Sequence, residues 1–193
     1  MTMLTHADLY SLEHYARARP EFRARVMAHK KNRQVALGPN ATLYFEDRLT
    51  MQYQVQEMLR LERIFEADLI QDELDVYNPL IPDGTNWKAT FMVEYSDPEE
   101  RKAQLARMIG IEKAVWVQVA DFARVAPIAN EDLDRETEEK TSSVHFLRFE
   151  LTAPMIAALK KGAALTMGIG HPAYQATATP SAAVRESLLV DLE

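Results

Sequence analysis

The sequence contains no cysteine, and this absence removes several kinds of chemistry at once. Disulfides, thiol nucleophiles, CxxC redox motifs and zinc or iron–sulfur sites built on thiolates are all excluded. No apolar run approaches the roughly 18 residues of a membrane span, so no membrane insertion is expected. The first residues are not a basic and then apolar leader, so we expect a cytoplasmic protein.

An excess of positive charge is missing as well. The chain of 193 residues has a formal net charge of −7, which argues against general binding to nucleic-acid phosphates. Its apolar content of 47% is that of an ordinary globular protein, and we find no internal repeat or convincing linker. We therefore expect one domain over residues 1–193, in which an N-terminal helical segment, 5–33, packs on an α+β core, 34–193.

Hydrophobic patterns and capping residues predict an α+β fold, with a mixed sheet of four to five strands and flanking helices. The central element is a long helix that begins near Met51. It ends before Asn78, because the residue ahead of a proline avoids helical geometry. Strands are predicted at 42–46, 89–95, 114–119, 143–151 and 165–169, and further helices at 5–17, 20–32, 97–110, 130–140, 152–162 and after 179.

Two carboxylates lie on the apolar stripe of this central helix. At about 100° per residue, Glu62 and Glu66 fall one turn apart in the middle of the apolar face. A buried carboxylate without a partner costs several kcal/mol, so each should be ion-paired, neutral or bound to a metal. An arginine is the commonest partner, and Arg148 in a predicted strand is well suited. The candidate pocket or ion-pair network comprises Glu62, Glu66, Arg63, His145 and Arg148.

A metal site is the alternative use of the same carboxylates. Two carboxylates four residues apart suit a divalent ion such as Fe, Mn or Zn, once histidine completes the shell. His145 lies on an apolar strand face, where a histidine is more often a hydrogen-bonded core residue than a ligand, so both interpretations stay open. The predicted ligand set is Glu62, Glu66, His145 and His171.

Basic side chains are concentrated in one N-terminal stretch, residues 17–33. Such a stretch is usually a solvated helix face, but it is also the natural docking surface for an acidic partner. A further possibility is a small-anion site between the loop 78–87 and the central helix, formed by Arg60, Arg63 or Arg148. The predicted docking residues are Arg19, Arg23, Lys30 and Arg33.

Long runs of this sequence resemble an uncharacterised bacterial family known as domain of unknown function 3501. The resemblance rests on QVQEMLRLERIFEADLIQDELDVYNPLIPDGTNWKATFMVEY, with PEFRAR and RQVALGP upstream and EEKTSSVHFLRFEL downstream. Genes of this family often lie beside those of rubrerythrin-like di-iron proteins and an iron–sulfur oxidoreductase subunit.

The resemblance therefore implies a non-enzymatic accessory or interaction protein of a redox or oxidative-stress system, with a rubrerythrin-like protein or the oxidoreductase subunit as partner. Without cysteine, no iron–sulfur cluster of its own is expected. A metal-binding protein or metal-dependent enzyme that uses the Glu/Glu/His set is the alternative function. A homodimer is also left open by the sequence.

Overall fold

Two antiparallel sheets and six α-helices form the part of the chain that the computed structural model describes, residues 2–131 and 140–193. The predicted α+β single-domain fold is confirmed. The α-helices are α1 (Leu12–Lys30), α2 (Arg48–Glu62), α3 (Ala67–Tyr77), α4 (Pro98–Arg107), α5 (Ala153–Lys160) and α6 (Ala182–Leu189). The strands are β1 (Gln34–Ala36), β2 (Ala41–Phe45), β3 (Asn86–Val93), β4 (Val115–Val119), β5 (Ile128–Ala129), β6 (Val144–Glu150), β7 (Leu165–His171) and β8 (Tyr174–Ala178).

The larger sheet has five strands in the order β1-β2-β3-β6-β5, and the smaller sheet has three in the order β4-β7-β8. Three of the five predicted strands, β2, β3 and β6, lie in the larger sheet, whereas β4 and β7 belong to the smaller one. Every pairing is antiparallel, whereas a mixed sheet was predicted. Short turns join β1 to β2 and β7 to β8, which makes these pairs antiparallel. The pairs β2–β3 and β3–β6 are antiparallel although helices lie between their strands in the chain.

The two sheets share one hydrophobic core. Side chains alternate along a strand, and in β2 the residues Ala41, Leu43 and Phe45 are buried while Thr42 and Tyr44 are half-buried. The buried sides of β2, β3 and β6 form an inner face, which belongs to the same cluster as β4, β7, α5 and α6. The opposite, outer face of the larger sheet is turned toward α1 and α2.

The helix α1 continues through Pro20, where the sequence predicted a boundary between two helices. Proline lacks a main-chain donor and normally kinks or ends a helix. Here Tyr15, Phe22 and Val26 are buried in one cluster with side chains of α2, so tertiary packing outweighs the local preference. The N-terminal segment is thereby attached to the rest of the fold through α2.

The predicted long central helix is divided in two at Arg63. This residue adopts left-handed geometry, with a φ of 54°, and caps the end of α2. The next helix, α3, begins after Glu66, which is its N-cap residue. The break lets Leu74 of α3 pack in the same apolar cluster as the buried side of α2. Glu62 and Glu66 therefore belong to two different helix ends and not to one continuous face.

The remaining predicted elements that fall on described residues are found close to their predicted positions, such as β4 at Val115–Val119 and α5 at Ala153–Lys160. The predicted acidic helix at 130–140 lies mostly outside the described residues. Among the described ranges, no helix combines the length and the apolar character needed to cross a bilayer.

Candidate functional site

The two glutamates that dominate the sequence pattern are exposed. Glu62 ends α2, Glu66 precedes α3, and both side chains reach solvent. The predicted burial of these carboxylates is wrong. The helix ends at Arg63, so the apolar face of α2 does not continue through Glu66 and these residues lie at the surface. Phe65, which the same pattern places inside, is 72% exposed, and Arg63 is exposed as well.

Arg148 pairs with other acids than those predicted. Its Nη2 donates to Glu131 Oε1 at 2.7 Å, and its Nη1 donates to Glu150. These hydrogen bonds raise the pKa of the Arg148 guanidinium, with Glu131 as the largest cause. The predicted ion pairs between Arg148 and Glu62 or Glu66 are therefore wrong.

The predicted metal ligands do not form a cluster. His145 is fully buried, with Nδ1 3.0 Å from Asn130 Nδ2 and Nε2 3.1 Å from Thr141 Oγ1. Its Nε2 also lies 4.0 Å from the buried Glu112 carboxylate, an environment that suits a hydrogen-bonded core histidine. His171 places Nε2 3.0 Å from a main-chain carbonyl oxygen. In the described part of the chain, no three His, Asp or Glu side chains are placed to hold a metal ion. The described side chains therefore do not assemble the site predicted from Glu62, Glu66, His145 and His171.

The anion site predicted beside the loop 78–87 does not assemble from its three arginines. Arg60 lies 3.4 Å from a glutamate of its own helix, Arg63 is exposed, and Arg148 is held by its acidic partners. Trp87, at the end of the loop, is fully buried and donates from Nε1 to a main-chain carbonyl of α6.

The four predicted docking residues have four different environments. Arg33 is only 2% exposed, so its place in a docking surface is wrong. Arg19 donates to both carboxylate oxygens of Glu57 in α2, at 2.7 and 2.9 Å. Lys30 is half-buried, which leaves Arg23 as the exposed member of the four. The basic stretch is therefore partly structural.

A cleft of about 540 Å³ opens between the outer face of the larger sheet and the helices α1 and α2. Small-molecule sites in proteins typically measure roughly 300–1,000 Å³, so this outer-face cleft has a suitable size. The outer-face cleft is lined by Met27, Lys30, Lys31, Gln34, Tyr44, Glu46, Met51, Gln54, Tyr77, Leu80, Thr90, Met92 and Phe146.

The floor of the outer-face cleft is a row of cross-strand neighbours. Gln34, Tyr44, Thr90 and Phe146 are successive partners across β1, β2, β3 and β6. Residues that are directly opposite in a sheet place their side chains on the same face, so these four form one continuous strip. The strip alternates polar and aromatic side chains.

The walls of the outer-face cleft are largely apolar. Met27 comes from α1, Met51 from α2 and Met92 from β3, while Tyr77 and Leu80 come from the end of α3 and the turn that follows. Methionine side chains are unbranched and polarizable, so they adapt to ligands of different shape. Such walls suit the apolar surface of a ligand.

Glu46 is the acidic residue among the lining side chains. It extends the β2–β3 register by one residue, since its main-chain N–H donates to Lys88 O, and it is only 7% exposed. Thr90 Oγ1 donates to Glu46 Oε1 at 2.7 Å. Lys88 stands opposite in the register, but its Nζ donates to Pro79 O at 2.6 Å. Burial lowers the pKa of this Lys88 ammonium.

A buried ion pair behind the cleft fixes the main chain of Glu46. Arg33 Nη1 and Nη2 donate to Asp191 Oδ1 and Oδ2 at 3.1 and 2.6 Å. The same guanidinium donates from Nη2 to Glu46 O and from Nε to Phe45 O. Burial raises the pKa of Asp191 to about 6, although the Arg33 charge acts in the opposite direction. The Arg33–Asp191 pair therefore positions the end of β2, from which Glu46 enters the cleft.

Sequence reasoning missed this cleft although one signal was present. In the predicted strand 42–46, alternation places Tyr44 and Glu46 on one face and Leu43 and Phe45 on the other. A carboxylate and an aromatic ring on one side of a strand indicate a partly covered face. The opposite wall could not be derived, because no local pattern tells which helices lie over that face.

Comparison with known proteins agrees with this architecture. The profile of the family described as "Protein of unknown function (DUF3501)" matches residues 3–192. The chain belongs to the DUF3501 family. The chain is also similar to a crystal structure, that of a "novel protein of unknown function" from Burkholderia pseudomallei K96243, with 51% sequence identity. The match covers 100% of both chains with a TM-score of 0.94. Among curated proteins, no sequence matches this DUF3501 chain.

Proposed function

We propose that this DUF3501 protein is a non-enzymatic accessory protein that binds a small molecule in the outer-face cleft. The observation that carries the proposal is the cleft itself. It combines a volume of about 540 Å³ with apolar walls and a few polar groups on its floor, which is the usual composition of a ligand site. A rigid antiparallel sheet forms the floor, so the polar groups are held in fixed positions.

The cellular setting in this proposal is a rubrerythrin-associated redox or oxidative-stress system in the cytoplasm. Support for the setting comes from the resemblance described above, whose gene context implies a rubrerythrin-like protein or an iron–sulfur oxidoreductase subunit as partner. Co-purification of the tagged protein from cells that express both partners tests it. We expect one of the two to be retained, and recovery of neither would overturn this setting.

Filling the cleft tests the binding role. Met92→Trp and Leu80→Trp add bulk to the cleft from β3 and from the turn after α3, and Ile128→Trp is the matched control on an exposed position of the same sheet. A ligand present at 100 times its Kd stabilises by about 2.7 kcal/mol, which shifts the Tm of a chain of this size by roughly 5–10 °C. Thermal denaturation with amines, carboxylates, phosphates, nucleotides and neutral aromatics supplies the measurement.

We expect some of these compounds to raise the Tm of the wild type and of Ile128→Trp, and to lose the effect in both cleft-filling variants. Far-UV circular dichroism checks that each variant is folded. Two cleft-filling variants are used so that the test can still be made if one of them does not fold. If no compound stabilises the wild type, or if all variants respond equally, the binding role in this cleft is rejected.

A further inference from the structure

Glu46 is a buried carboxylate that uses little of its hydrogen-bonding capacity. It is more than nine-tenths buried and lines the outer-face cleft. Within the described residues, Thr90 Oγ1 donates the one hydrogen bond to this carboxylate, and no ion pair joins it to a basic side chain. An ionised carboxylate offers about four acceptor sites. A buried charge in this state is costly unless a further partner is supplied.

The basic groups closest in the fold are engaged elsewhere. Lys88 stands opposite Glu46 but donates to a main-chain carbonyl. Arg33 holds the Glu46 main chain, and its charge is matched by a buried carboxylate. Lys30 places Nζ 6.0 Å from the centre of the Tyr53 ring, and Tyr53 is not part of the cleft lining. Among the described residues, no basic side chain completes the hydrogen bonding of Glu46, and a molecule in the cleft can supply the further donor.

We infer that the ligand of the outer-face cleft is a small organic cation, an amine carried on an apolar or aromatic body, whose N–H groups donate to Glu46. This inference rests on the proposed binding role and names the class of ligand. Hydrogen bonds between an ammonium and a carboxylate are about twice as strong as neutral ones. The rings of Tyr44, Tyr77 and Phe146 border the same space, and aromatic faces attract cations.

Anions are the competing class of ligand, because Lys30 and Lys31 also border the cleft. The half-buried Lys30 places Nζ 6.0 Å from the centre of the Tyr53 ring. Lys31 is exposed, and a solvated ammonium contributes little to binding. Glu46 is buried, where its charge is weakly screened and would repel an anion in the inner part of the cleft. The buried Glu46 carboxylate therefore outweighs the two lysine ammonium groups, which are less buried.

A matched set of probes tests the class of ligand. Naphthylmethylammonium, naphthylmethanol and naphthoate share one aromatic body and differ in the charge of the head group. Their Kd values are measured by calorimetric titration on the wild-type chain, on Glu46→Gln and on Glu62→Gln. Glu46→Gln keeps the size of the side chain and removes its charge, while Glu62→Gln makes the same change at an exposed position.

We expect naphthylmethylammonium to bind the wild type at least about tenfold more tightly than the alcohol, as one charge-assisted hydrogen bond would give. This preference should disappear in Glu46→Gln and persist in Glu62→Gln. Equal binding of all three probes, or an unchanged preference in Glu46→Gln, overturns the inference and leaves the binding role intact. Tightest binding of naphthoate overturns it in favour of an anion, and binding of no probe to the wild type overturns it as well, while the binding role is decided by the wider set of compounds.

Discussion

Asp191 and Glu46 are both buried carboxylates next to Arg33, but they differ in the number and kind of their hydrogen-bond donors. Asp191 receives two hydrogen bonds from the guanidinium and is 1% exposed. Glu46 receives one hydrogen bond from the Thr90 hydroxyl and faces the outer-face cleft. Arg33 touches Glu46 as well, but only through the main-chain oxygen.

The difference separates a carboxylate that maintains the fold from one that is available for binding. A buried charge with a complete set of partners is part of the structure, and its loss leaves the partner uncompensated. A buried charge with spare acceptor sites beside a cavity is held in place by the rest of the fold and contributes little to stability.

Removing Arg33 should have the largest effect. Arg33→Ala leaves the ionised Asp191 without its counter-ion, so we expect a loss of about 3–5 kcal/mol in the free energy of unfolding. Urea denaturation at about pH 8, where Asp191 is ionised, supplies the measurement. Arg23→Ala, at an exposed position in the same basic stretch, is the control and should change stability by less than about 0.5 kcal/mol. A loss as small as that of the control would show that the pair is not structural.

The Arg19–Glu57 pair should give an intermediate effect that depends on pH. The Arg19 hydrogen bonds lower the pKa of Glu57 from its ordinary value of 4.5 to about 2. A depressed folded-state pKa stabilises the protein above the unfolded value, and this contribution is lost as the pH falls from 4.5 toward 2. Glu57→Gln should therefore cost about 1–3 kcal/mol near neutral pH and weaken the decline in stability between these values. Denaturation curves measured over a pH series supply the test. If Glu57→Gln leaves the loss of stability between pH 4.5 and 2 unchanged, the proposed contribution of the Arg19–Glu57 pair is contradicted.

Matched amide substitutions compare the two carboxylates directly. Asp191→Asn removes a charge that neutralises Arg33, so stability should fall by about 2–4 kcal/mol. Glu46→Gln removes a poorly solvated charge and keeps an oxygen for Thr90, so stability should rise by about 0.5–1 kcal/mol. Both are measured by denaturation without ligand. Changes of the same sign and size in the two variants would remove the distinction between the carboxylates.

The exposed glutamates should have the smallest effect. Glu62→Ala and Glu66→Ala each change a solvated side chain, so we expect less than about 0.5 kcal/mol from either. Buried members of an ion-pair network would instead cost about 3–5 kcal/mol. The same denaturation assay therefore distinguishes the arrangement in the structure from the one predicted by helical periodicity.

Local patterns predict most of the elements because their signals are local. The strand β4 follows from the alternation of Val115, Val117 and Val119, and α4 from Asp97 followed by Pro98. The separation of β4 into a smaller sheet could not be predicted, since strand pairing depends on contacts between distant parts of the chain.

The error at Glu62 and Glu66 has a specific physical origin. Arg63 adopts left-handed geometry without being glycine or asparagine, the residues that usually mark such a helix end. The apolar period continues on both sides of Arg63, so the pattern is typical of one long helix. The carboxylates predicted to be buried on the helix are exposed, whereas the buried Glu46 lies on a sheet face that only the tertiary fold covers.

The Arg33–Asp191 pair joins residues that are 158 positions apart. On a ribosome that adds about 5–20 residues per second, roughly 8–30 s separate the synthesis of the two side chains. The hairpin of β1 and β2 can form early and places Asp47 Oδ2 3.6 Å from Arg33 Nε, but the two hydrogen bonds from the guanidinium to Asp191 cannot form until the final segment emerges. A nascent or truncated chain that stops before Asp191 should therefore remain open to proteases and chaperones, however complete its other elements are.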